Sequence, residues 1–105
     1  MSPRDLVYVG HMLDMARKAV SKTLGLSRAA YDADENLRLA LIHLIQVVGE
    51  AARQVSAEAD IVGMRHKVVH DYLGVDEDIV WQVGIADLPK LVAALEPLVQ
   101  PGPDR

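Results

Sequence analysis

The chain has no cysteine and no phenylalanine, and only one tryptophan and three tyrosines among its 105 residues. Without thiols there is neither a disulfide framework nor a thiolate metal site. With so few aromatic rings the core must come from Leu, Val, Ile, Ala and Met, a vocabulary that favours helices over a β-sandwich. No apolar run approaches the ~20 residues that a membrane span needs. Met1-Ser2-Pro3-Arg4-Asp5 leads into a stretch too polar for a signal-peptide core. Basic residues are in deficit as well. A formal net charge of −4 argues against coating nucleic acid through many Lys and Arg phosphate contacts, but leaves room for a local basic site. These absences predict a soluble cytoplasmic protein with no membrane partner.

What is present reads as one helical domain over residues 1–100, followed by a flexible tail at 101–105. A chain this short buries roughly two thirds of its unfolded surface, so an oligomer would help it. Ser2 can cap a first helix with Pro3 in its opening turn, and Asp5 suits the positive end of the dipole. Leu6, Val9, Leu13, Ala16, Val20 and Leu24 recur at helical spacing up to a stop at Gly25. Asp32-Ala33-Asp34-Glu35 resembles a capping box opening a second long helix through about Val55. Its stripe is Leu37, Leu41, Leu44, Val48, Ala52 and Val55, and Leu39, Ile42 and Ile45 widen it as if to meet more than one neighbour. Gly49 within that helix costs roughly 1 kcal/mol against Ala, which suggests either close approach of another backbone or simple tolerance.

A third helix is expected from near Ala57 through Tyr72, ended by Gly74. Asp76 can cap a final segment whose apolar face is Ile79, Val80, Val83, Leu88, Leu91, Leu95 and Leu98. Pro89 should break or kink that segment near Ala86 to Leu88. The expected architecture is all-α, an up-and-down bundle of four to five helices.

Chemistry is concentrated in Arg65-His66-Lys67-Val68-Val69-His70-Asp71-Tyr72. Arginine offers a fixed charge for a phosphate, histidine moves protons near neutral pH, and a tyrosine hydroxyl is a ligand or modification target. On a helix, Arg65 and Tyr72 share a face roughly 10 Å apart, whereas Arg65 and His70 diverge by about 140°. One straight helix does not aim both at a single phosphate, but two such helices across a symmetric interface would. The bland alternative is a solvated face with Lys67 and Asp71 paired four residues apart. His66 and His70 are a permitted metal pair by spacing, yet no His-Glu-x-x-His pattern accompanies them, so no metal and no cofactor are expected. His11 and His43 read as isolated core-edge or surface residues, and Tyr8 and Trp81 as packing anchors.

Arg65-x4-His70-x-Tyr72 resembles the Arg-x4-His-x-Tyr motif of the HepT-like toxins, a branch of the HEPN superfamily of helical-bundle ribonucleases. Similar surroundings are Ile61-Val62-Gly63-Met64 before it, Gly74-Val75-Asp76 after it, Ile79-Val80-Trp81, and Asp87-Leu88-Pro89. Arg4-Asp5, His11-Met12-Leu13-Asp14 and Val48-Gly49-Glu50-Ala51 extend the likeness toward the start. The resemblance implies a HEPN-like bundle acting as a homodimeric, metal-independent endoribonuclease toxin. Arg65 would hold the scissile phosphate, His70 would be the general acid or base, and His66 would support them. Tyr72 would be the residue that a nucleotidyltransferase antitoxin modifies with AMP. The implied substrate is RNA and not DNA, because the reaction uses the ribose 2′-hydroxyl. The chain departs from the family in one place: relatives carry a longer loop, often with a Pro-Trp pair, where Ser56-Ala57-Glu58-Ala59-Asp60 runs straight into Ile61. That departure and the acidic charge favour an alternative function, a non-catalytic helical dimer that binds a nucleotide or a partner protein.

Overall fold

The computed structural model describes residues 2–55 and 76–99, and every element among them is helical. Helix α1 spans Pro3–Thr23, α2 Arg28–Ala33, α3 Glu35–Gln54, α4 Glu77–Gln82 and α5 Leu88–Val99. A π-helical turn, Val83–Asp87, joins the last two. The helix expected between Ala57 and Gly74, and the shortened loop before Ile61, lie outside the described residues.

Helices α1 to α4 each start where a short polar side chain can satisfy free amides. Ser2 Oγ accepts from the Asp5 amide at 3.0 Å, Asp34 Oδ1 from Leu37 at 3.0 Å, and Asp76 Oδ1 from Asp78 and Ile79 at 2.9 and 3.3 Å. The cap of α3 is therefore Asp34, the second acid of the expected capping box. Asp32 belongs instead to α2, a six-residue helix the sequence reading did not include, capped by Ser27. Gly25, at φ +77°, ends the turn after α1, a left-handed conformation that glycine takes at little cost.

Helix α1 packs on both α3 and α5. Arg4 at its start lies beside Gln54 at the end of α3; Thr23 at its end lies beside Gly84, just before α5, and Arg17, six residues earlier, reaches Glu96, so α1 runs antiparallel to each. The core between them is aliphatic, with Leu13, Leu41, Ile45, Leu88, Leu91 and Leu95 almost wholly buried. Burying each such side chain stabilises the fold by roughly 1.5–3 kcal/mol. Four expected core positions are instead exposed: Leu6 near the start of α1 and Leu98 near the end of α5, at 39% each, together with Leu24 and Leu39. Leu24 lies beyond the last turn of α1 and is 79% exposed; Leu39 points off the first turns of α3 and is 59% exposed. The widened stripe of α3 therefore holds at Ile45 and partly at Ile42, but not at Leu39.

Pro89 does not break the last segment. The Leu88 amide bonds to the Val83 carbonyl, five residues back, so the helix widens by one residue just before the proline and then resumes. Gly84 sits in this wide turn with its backbone against α3. A Cβ there would lie 3.1 Å from Leu41 Cδ2, closer than ordinary van der Waals contact.

Candidate functional site

The predicted site residues Arg65, His66, His70 and Tyr72 lie outside the described residues, so neither their mutual geometry nor a composite dimer site is placed. What is placed is each end of the segment that carries them. At its start, Arg4 Nη1 donates to the Gln54 carbonyl at 3.1 Å and Nη2 to Gln54 Oε1 at 3.4 Å. That carbonyl belongs to the last turn of α3, where acceptors lack helical partners and the dipole favours a cation. The same guanidinium stands 5.3 Å from the Tyr8 ring centroid. Val55, the C-cap of α3, turns inward and is 4% exposed.

The far end is held more firmly. Four residues beyond Tyr72, Asp76 caps α4. Next to it, Glu77 Oε1 accepts from the Tyr31 hydroxyl at 2.5 Å, while its other oxygen lies 3.7 Å from Arg38. Arg28 bridges Asp78 at 2.6 Å and Asp32 at 2.9 Å. Tyr31 is fully buried, with its ring 5.0 Å from that of Trp81 at 43°. Burial first, and then the bond to the Glu77 carboxylate, hold its proton well above the ordinary tyrosine range. Helix α2 thus acts as a bracket that fixes where the motif-bearing segment rejoins the bundle.

The structure also brings together two histidines that read as isolated. His11 on α1 and His43 on α3 line one open groove of about 540 Å³, with Tyr8, Gln46, Glu50 and Gln54. Antiparallel packing explains the meeting: once Arg4 is opposite Gln54, His11 comes within about a turn of His43 along the facing helix. No single helix carries that signal; it needed the pairing of the two. Among the described residues no three His, Cys, Asp or Glu side chains are grouped to hold a metal. Further along α1, Arg17, Lys18, Ser21 and Lys22 line a shallow hollow of about 360 Å³. No helix among the described residues is long and apolar enough to cross a membrane.

The described helices are compatible with an all-α HEPN-like bundle, and comparison with known proteins points to the same family. Residues 59–98 match the family described as Ribonuclease HepT-like, a range that contains the Arg65–Tyr72 octet. A protein of Caldanaerobacter subterraneus subsp. tengcongensis named "Putative RNase" is 25% identical over 103 residues, 89% of this chain and 92% of its own. One of Methanocaldococcus jannaschii with the same designation is 24% identical over 107 residues, covering 91% of this chain and 98% of its own. The "Probable ribonuclease HepT" of Thermococcus cleftensis is 27% identical over 75 residues, 62% of this chain and 68% of its own. No solved structure matches the chain. Over residues 59–98 the chain is similar to the HepT-like ribonucleases, and over most of its length to proteins named as putative ribonucleases.

Proposed function

We propose that the protein is a metal-independent endoribonuclease toxin that cuts RNA at a site shared by two copies of the chain. The observation that carries this reading is the HepT-like match over 59–98, the range that includes Arg65, His70 and Tyr72. Arg65 supplies a permanent charge for the non-bridging oxygens of the scissile phosphate. His70 removes the proton of the ribose 2′-hydroxyl, or delivers one to the departing 5′-oxygen. The 2′-oxygen bonds to phosphorus as the 5′-oxygen leaves, giving a 2′,3′-cyclic phosphate and a 5′-hydroxyl. His66 supports that pair with a further polar group.

Because Arg65 and His70 diverge around a helix, Arg65 of one protomer acts with His70 of the other in this reading. Tyr72 is its control point: AMP attached there by a nucleotidyltransferase antitoxin places a bulky anion where the RNA phosphate must sit. The framework supports such an arrangement, since Arg4–Gln54 and the Tyr31–Glu77 bracket hold both ends of the motif segment. The test is cleavage of RNA in EDTA by the wild type, Arg65→Ala and His70→Ala. Cutting and growth arrest by the wild type alone are expected; equal cutting by all three overturns the assignment.

A further inference from the structure

Helix α1 carries a second feature that the motif chemistry does not use. Arg4, His11, Lys18 and Lys22 are all exposed and follow one another at seven, seven and four residues. On a straight helix these positions fall within a sector of roughly 40° and run for about 27 Å, enough to follow several phosphates of an extended strand. Among the described residues, Lys18 and Lys22 take part in none of the salt bridges, whereas their neighbour Arg17 is already paired with Glu96 at 2.9 Å. On a chain of net charge −4, Arg4, Lys18 and Lys22 make this a local cationic line.

Beside it opens the groove between α1 and α3, where His11, His43, Gln46 and Gln54 offer ring nitrogens and amides that can both donate and accept. Among the described residues, the carboxylates on this face are Asp14, on the flank of the line, and Glu50, which is 3.2 Å from Arg53. A second copy of the chain is a poorer occupant, because a two-fold contact on this face would set the cationic line against itself.

We propose that the outer face of α1 is a track for single-stranded RNA, with Arg4, Lys18 and Lys22 on phosphates and the α1–α3 groove receiving a base against His11, His43 and Gln46. The inference rests on the ribonuclease reading only for the identity of its ligand. The track positions substrate and is separate from the groups that break the bond.

The experiment measures anisotropy of a short labelled RNA with 2′-O-methyl riboses, which binds but cannot cyclise, over a series of salt concentrations. The variants are Lys18→Gln with Lys22→Gln, and His43→Ala with Gln46→Ala, each checked by thermal unfolding. The lysine pair should weaken binding about tenfold and reduce the salt slope by about 1.4, the value for two phosphate contacts to a single strand. The groove pair should weaken binding with the slope unchanged. Unaltered affinity in both variants, or no RNA binding by the wild type, overturns the track. So does a change of oligomeric state with RNA affinity retained, which would assign the face to a second copy. If the wild type binds through the track but cuts no natural RNA, the ribonuclease reading fails and the track stands. If it cuts and the variants bind as wild type, only the track fails.

Discussion

The Tyr31 hydroxyl donates a 2.5 Å hydrogen bond to Glu77, 46 positions away, and so joins the short helix α2 to the first turn of α4. Tyr31→Phe keeps the ring against Trp81 but leaves the carboxylate without that donor. A hydrogen bond to a charged acceptor at a partly buried site is worth about 1–2 kcal/mol, so the midpoint of thermal unfolding should fall by roughly 5–10 °C.

The same bond sets an alkaline limit. Burial and Glu77 raise the folded Tyr31 pKa above its unfolded value near 10. Its contribution is therefore complete below about pH 10 and is lost as pH rises from there through the folded value. Unfolding midpoints of the wild type and Tyr31→Phe should converge above pH 10, and a constant gap would contradict this assignment.

Gly84 gives a packing test. In Gly84→Ala the new Cβ meets Leu41 Cδ2 at 3.1 Å, and Leu41 is 0% exposed with little room to retreat. Overpacking of about 1–3 kcal/mol should outweigh the gain of up to about 1 kcal/mol in helix propensity, for a net loss of about 1 kcal/mol. In a Leu41→Val background the same change should be neutral or stabilising, which a double-mutant cycle in denaturant reads directly.

Much of the framework was legible because it depends on local chemistry. Ser2, Asp34 and Asp76 cap helices from their own side chains, and Gly25 ends a turn through its own φ. Leu6, Leu24, Leu39 and Leu98 were misread because periodicity reports which residues share a face, not whether a neighbour covers that end of it. Helix α2 was missed because six residues with Tyr31 alone buried show no period; Ser27 before Arg28-Ala29-Ala30 was its one local signal. Pro89 pointed to the correct place for an irregularity, but its form, a π turn in which Gly84 lies against Leu41, involves a contact between helices that periodicity does not report. Of the candidate site, the octet stands out by its spacing and lies outside the described residues, while the groove shared by His11 and His43 appears only when α1 and α3 are paired.

The control point has its own expected outcome. Co-expression with the nucleotidyltransferase antitoxin proposed as partner should give intact protein heavier by one or more AMP units, with the added mass mapped to Tyr72. Tyr72→Phe should remain unmodified and escape neutralisation. Modification of Tyr72→Phe at another residue would remove Tyr72 from that role.

The most direct measurement of the central claim is the chemistry of the RNA ends made in EDTA. Attack by the 2′-hydroxyl under Arg65 and His70 predicts 2′,3′-cyclic phosphate on the upstream fragment and 5′-hydroxyl on the downstream one, with neither formed by His70→Ala. Fragments ending in 3′-hydroxyl and 5′-phosphate, or cutting that stops when metal is chelated, would contradict it.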